Sequence, residues 1–170
     1  ILCNADSDHQ KEIEYLAELT RRGVDGFIIA TSAVSTDAIN ENLKKQGRPF
    51  IVLDQKKSEG FSDAVRTDDF RGGYLAGMHL LSLGHQTIAL VYPENPPENV
   101  HARIEGFKSA LDVYQIPHDQ LILLPTQFSK QGGYQITAEL LDSAATGVFA
   151  LNDELAFGLY RGLEEAGKSI

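Results

Sequence analysis

A regular alternation of short apolar runs with amphipathic stretches constrains this chain more than any other feature. Ile1-Leu2-Cys3 reads as a first short strand. Asp8 then caps a helix from about His9 to Arg22, with Ile13, Leu16 and Leu19 on one face and Gly23 ending it. The run "VDGFIIA" has no polar alternation, which predicts a strand buried on both faces. Ser35 or Thr36 opens a helix through Ile39 and Leu43 to Gly47, and Pro49 to Asp54 forms the next buried strand. A loop, "QKKSEGFS", and a short extended "DAVRT" follow. Asp68 or Asp69 then opens a helix carrying Tyr74, Leu75, Met78, Leu81 and Leu83, stopped by Gly84.

The same grammar continues. "TIALVY" is a strand, "PENPPEN" a loop of turn formers, and about Val100 to Tyr114 a helix with Ile104, Phe107 and Leu111 inward. "LILLP" is a strand, "SKQGGYQITAELLDS" a helix with a glycine-weakened start, "GVFAL" a strand, and Asp153 to Ala166 a last helix closed by Gly167. Strand and helix therefore alternate six times, which predicts an α/β fold with parallel sheets and helices on both faces. No repeat or low-complexity segment interrupts it. A boundary is expected near residue 84, where a second βαβ series begins, dividing the chain into lobes 1–83 and 84–170.

Composition excludes several function classes. Hydrophobic residues make up 42% and charged residues 23% of 170, as in an ordinary globular domain. The longest apolar runs are far shorter than the ~20 residues that cross a bilayer, so no membrane partner is expected. The net charge is −9 and no basic cluster exceeds two residues, so these residues lack the basic face that binds DNA phosphates. A lone cysteine, Cys3, rules out an internal disulfide, favours a reducing compartment, and is expected to be buried in the first strand. The five histidines show no metal-site spacing, His85 reads as structural, and neither Gly72-Gly73 nor Gly132-Gly133 matches a phosphate loop. No cofactor or metal is expected, and no nucleophile–base pair suggests an enzyme.

In open parallel sheets, ligands bind beyond the carboxyl ends of the strands. The residues there are Asp54-Gln55, Asp68-Asp69-Phe70, Arg103 beyond "TIALVY", Gln127-Phe128 and Asn152-Asp153. Carboxylates, amides and a guanidinium suit vicinal hydroxyls, and an aromatic face covers the C–H surface of a sugar ring. Each position also has a plainer reading. Asn152-Asp153 before a helix reads as a cap, Asp68 and Asp69 as caps for theirs, Asp54 as a turn cap, Arg103 as a solvated charge, and Phe128 as a core anchor.

Several segments tip that balance. "VDGFIIATS", "TDDFRGGYLAGMHLLSLGHQTIALV", "ARIEGFKSAL", "FSKQGGY" and "GVFALNDELAFGLYRGLEEAG" resemble, in order and over nearly the whole chain, the effector-binding core of the LacI/GalR family of transcriptional repressors, with most likeness to its ribose-repressor branch. The resemblance implies a periplasmic-binding-protein-like I fold of two doubly wound lobes with a sugar between them. It implies that Arg103 is the principal sugar-binding arginine, Phe128 the stacking aromatic, Asn152 an amide bonding ligand hydroxyls, and Asp54 the acid that ribose binders use. Gln55 departs from the arginine those binders often carry there. Asp69 and Phe70 are expected near the cleft. The implied function is a cytoplasmic, homodimeric sugar sensor that releases operator DNA when ribose or a related pentose binds. An extracytoplasmic transporter component is the alternative. Operator DNA would be held by a helix-turn-helix preceding these residues, and further strands would follow Ile170, so the chain is read as truncated at both ends. Whether a phosphoprotein co-regulator binds is left open.

Overall fold

The computed structural model describes residues 1–5, 8–30, 39, 43–54 and 63–168. The chain forms two compact units, Ile1–Thr67 and Asp68–Ile170.

In the first unit, helix α1 spans His9–Arg21. The Asp8 carboxylate accepts from the backbone N–H groups of Gln10 (2.9 Å) and Lys11 (3.1 Å), satisfying donors that the first turn leaves open. Strands β1 (Phe27–Ala30), β2 (Phe50–Leu53) and β3 (Ala64–Val65) form a parallel sheet in sequence order. Leu16 of α1, with Ile39 and Leu43, packs on Phe27, Ile29, Phe50 and Val52. The opposite face is more open, with Ile51 38% exposed. Ile28 is 76% exposed, so β1 is buried on one face only, against the expectation of two. The expected first strand at Ile1-Leu2-Cys3 is irregular chain. It joins no described ladder, and Cys3 is exposed where burial was predicted. The helix expected over 35–47 falls largely outside the described residues, as does the loop beginning at Gln55.

The second unit opens with helix α2, Asp69–Ser82, N-capped by Asp68, whose carboxylate accepts from the Arg71 N–H at 2.8 Å. Strand β4 (Ile88–Pro93), helix α3 (Glu98–Val113), strand β5 (Leu121–Thr126), the short helices α4 (Lys130–Gln135) and α5 (Thr137–Asp142), strand β6 (Gly147–Ala150) and helix α6 (Asp153–Glu165) follow. The sheet is parallel with order β5-β4-β6. Residues 88 to 91 of β4 are all buried. Ile88 and Leu90 face a core built with α2 and α3, including Leu81, Ile104 and Phe107. Ala89 and Val91 face a second core with Leu140, Leu155 and Leu159 from α5 and α6. Helices thus cover both faces, as the unbroken apolar run predicts.

Two local differences have physical causes. The compact units divide at Thr67/Asp68, whereas the sequence suggested a boundary near 84. Helix α2 packs against α3 through glycine: a Cβ on Gly73 would lie 1.9 Å from the Arg103 carbonyl oxygen, and one on Gly106 would lie 1.9 Å from that of Phe70. Bare backbones in such contact place α2 within the second unit. The helix expected as one piece after Ser129 breaks at Ile136 into α4 and α5. The Thr137 hydroxyl donates back to the Gly133 carbonyl at 3.1 Å, an interaction that bends helices.

Candidate functional site

The strand order β5-β4-β6 fixes where chemistry can sit. The chain leaves β4 first to one side and later reaches the other, so a crevice opens at the carboxyl ends of β4 and β6. Arg103, in the second turn of α3, reaches into this region. Its Nε donates to Asp69 Oδ1 at 2.7 Å, and its Nη1 donates to the Leu151 carbonyl at 2.6 Å. Leu151 lies just beyond β6, and its own N–H donates to the Val91 carbonyl at 3.0 Å. The guanidinium is therefore tied to the start of α2 and to the β6–α6 junction.

A guanidinium carries five N–H donors. Two are engaged among the described residues, which leaves Nη2 and one Nη1 hydrogen for another acceptor. The pair is only partly shielded, with side-chain exposures of 29% for Arg103 and 11% for Asp69. An ion pair so placed does little for net stability, because desolvation offsets much of the attraction. Its geometric effect is larger: a flexible arginine is held in one orientation. Asp69 thus has its carboxylate turned to Arg103, and Asp68, not Asp69, caps α2.

Asn152, next to Leu151, is the N-cap of α6. Its Oδ1 accepts from the Leu155 N–H at 2.9 Å. Its two Nδ2 hydrogens have no partner among the described residues. Asp153 and Glu154 occupy the first turn, where acids complement the helix dipole. The cap reading and the ligand reading of Asn152 are therefore compatible, since they use opposite ends of the amide. Phe70 and Phe128 are 48% and 57% exposed at the start of α2 and the end of β5. Large apolar side chains left in water are available to a ligand, and neither is a core anchor, the plainer reading of Phe128.

Asp54 belongs to the first unit, at the end of β2. Its Oδ1 accepts from both the backbone N–H (3.1 Å) and the hydroxyl (3.0 Å) of Thr67. The structure thus draws Asp69, Arg103 and Asn152 together in one unit and places Asp54 in the other. Sequence reading missed Thr67 and the Leu151 carbonyl. The first is an ordinary residue beyond a two-residue strand, and the second has no side-chain signature.

His85 Nδ1 lies 3.0 Å from the Thr146 hydroxyl, and its ring packs where a Cβ on Gly147 would fall, in keeping with the structural role expected for it. An open hollow of about 710 Å³ beside β6 is lined mainly by apolar side chains such as Leu140, Phe149 and Leu159, and none of the candidate residues lines it. Among the described residues no cluster of His, Cys, Asp or Glu could hold a metal, and no helix is long and apolar enough to cross a membrane.

Two parallel sheets, the second covered by helices on both faces, and polar groups gathered at its strand-end crevice define a binding domain of the periplasmic-binding-protein-like class. Residues 1–170 match the family of periplasmic binding proteins and sugar binding domains of the LacI family, and the chain belongs to it. It is 37% identical over 159 residues to the HTH-type transcriptional regulator DegA of Bacillus subtilis, covering 92% of this chain and 47% of that protein. It is 29% identical over 171 residues to the repressor PurR of Actinobacillus pleuropneumoniae, covering 99% of this chain and 51% of that protein. The chain spans about half the length of these curated relatives. Among solved structures, a LacI family transcriptional regulator from Enterococcus faecium with bound ribose is 97% identical, with a TM-score of 0.87 over 100% of this chain and 62% of that one. A second ribose-bound LacI family regulator, from Enterococcus faecalis, is 55% identical with a TM-score of 0.81, over 100% of this chain and 61% of that one.

Proposed function

We propose that this chain is the effector-binding core of a LacI-type transcriptional regulator whose effector is ribose or a related pentose. The observation that carries the reading is the guanidinium of Arg103 fixed at the β4/β6 crevice and bonded to Leu151, next in sequence to Asn152; both Arg103 and the Asn152 amide keep donors that no described residue engages. Such a donor set suits the oxygens of a small polyol. Ribose in a relative of 97% identity supports the choice of sugar. Phe128 and Phe70 supply the apolar faces, and Asp54 an acceptor for hydroxyl protons.

Operator DNA and a homodimer belong to the same reading. The acidic net charge of −9 is in keeping with DNA binding by other residues of the intact protein, a helix-turn-helix as the names of the HTH-type relatives suggest. Sugar binding shifts an equilibrium between conformations by its differential affinity for them, and that shift releases DNA. The protein works in the cytoplasm as a binding module, not an enzyme. The named relatives are regulators, which disfavours the transporter reading.

The test is titration calorimetry of the intact protein with ribose, other pentoses and hexoses, alongside Arg103→Ala. A hydrogen bond to a charged group is worth about 1.5–3 kcal/mol, so the variant is expected to bind roughly 10- to 150-fold more weakly. A folded Arg103→Ala protein that binds ribose like its parent would overturn the site. A parent that binds a different sugar with an Arg103-dependent affinity would overturn only the choice of sugar.

A further inference from the structure

We infer that Thr67 is a positioning residue that fixes the Asp54 carboxylate for ligand binding; the inference rests on the effector-binding reading above. The starting observation is a backbone outlier. Asp54 adopts φ +54°, the left-handed region that non-glycine residues enter seldom and Asp and Asn more often than the rest. Such conformations persist where the surroundings over-determine them, and they gather at functional sites.

The over-determination is visible. β3 runs beside β2 in the register Val52↔Ala64 and Leu53↔Val65. Just past that ladder, the Asp54 N–H donates to the Val65 carbonyl at 2.9 Å, fixing the backbone. Two residues further along, Thr67 gives both of its donors to the same carboxylate oxygen: the N–H at 3.1 Å and the hydroxyl at 3.0 Å. Oδ1 is thereby engaged, and Oδ2 has no partner among the described residues. The clamp thus leaves one carboxylate oxygen as a directed acceptor at the end of a strand, where ligands bind. A helix cap or turn brace would satisfy neighbouring backbone donors, whereas this carboxylate is held by a residue thirteen positions away. The ligand class is a molecule that presents hydroxyl donors to a single carboxylate oxygen.

The experiment is ribose titration of the intact protein bearing Thr67→Val, Thr67→Ser or Asp54→Gly, with Arg103→Ala as the control for the site. Thr67→Val keeps the backbone donor, a β-branched side chain and nearly the same volume but removes the hydroxyl; the expected loss is about tenfold in affinity, the scale of one hydrogen bond to a charged group. Thr67→Ser restores the donor and is expected to bind within roughly twofold of the parent, a rescue that a packing role for the methyl group does not give. Asp54→Gly adopts φ +54° without strain, so it folds while losing the acceptor, and is expected to bind more weakly still. Parental affinity in Thr67→Val with weakened binding in Arg103→Ala overturns the inference alone. Weakened binding in Thr67→Ser equal to that in Thr67→Val overturns it too. Parental affinity in Arg103→Ala overturns the reading on which it rests.

Discussion

Gly106→Ala separates two physical effects that predict opposite signs. Gly106 lies inside α3, where alanine is favoured over glycine by about 1 kcal/mol on helix propensity alone. The structure opposes this. An added Cβ would sit 1.9 Å from the Phe70 carbonyl oxygen and 2.9 Å from the Tyr74 backbone nitrogen. Carbon–oxygen contacts ordinarily span ~3.3 Å or more, so α2 and α3 would have to part by roughly 1.4 Å. A gap of 0.5–1 Å already forfeits about a quarter to a half of a van der Waals contact. The obstacle is backbone, not a side chain that can rotate away, so the upper part of the usual ~1–3 kcal/mol overpacking range applies. Set against the propensity gain, the net expectation is a loss of about 2 kcal/mol. Because Asp69 and Arg103 sit on the two helices being separated, sugar affinity should fall too, although Gly106 itself offers no ligand group. Urea denaturation followed by far-ultraviolet circular dichroism measures the first effect and calorimetry the second. A Gly106→Ala protein as stable as the parent, or more so, refutes the close-contact argument.

Two further variants probe separate groups. Asn152→Asp keeps the capping acceptor but loses the amide donors, so it should fold normally and bind sugar more weakly, whereas Asn152→Ala should also lose about 1 kcal/mol of stability with the cap; equal stability of the two variants in denaturation would refute the capping role. Tyr134 donates to Glu165 at 2.6 Å, and that bond first, then the one from Arg161, holds the Glu165 carboxyl below the ordinary glutamate range. A depressed carboxylate stabilises the fold above its unfolded-state pKa and loses that contribution as pH falls through the folded-state value. Tyr134→Phe should therefore be less stable than the parent at neutral pH, with the difference closing in acid; a stability gap constant with pH would count against the assignment.

Local signals were legible in the sequence and tertiary ones were not. Asp8 and α1 could be read because a cap and its helix lie within one turn of each other. The run in β4 could be read because burial on both faces leaves no polar residue. The similar run in β1 misled, because the apolar content of Ile28 says nothing of what covers it, and it is 76% exposed. Helix α2 showed which of its residues are apolar but not which sheet it joins. Gly73 and Gly77, one turn apart and facing α3, were the available signal.

The candidate site divides in the same way. The rule that ligands meet the carboxyl ends of parallel strands put Asp54, Asp69, Arg103 and Asn152 among the candidates, because strand ends are visible as places where apolar runs stop, and the family resemblance singled them out. How those groups are held was not visible, since each support comes from another element. The supports nonetheless converge on one stretch. Thr67, the last residue of the first unit, holds Asp54, and Asp69, two residues on, holds Arg103. Asp68 between them caps α2 and so fixes where Asp69 begins. Three consecutive residues at the passage between units therefore orient one charged group in each. A substitution that moves this stretch should disturb both groups together, although neither the acid nor the arginine has been changed.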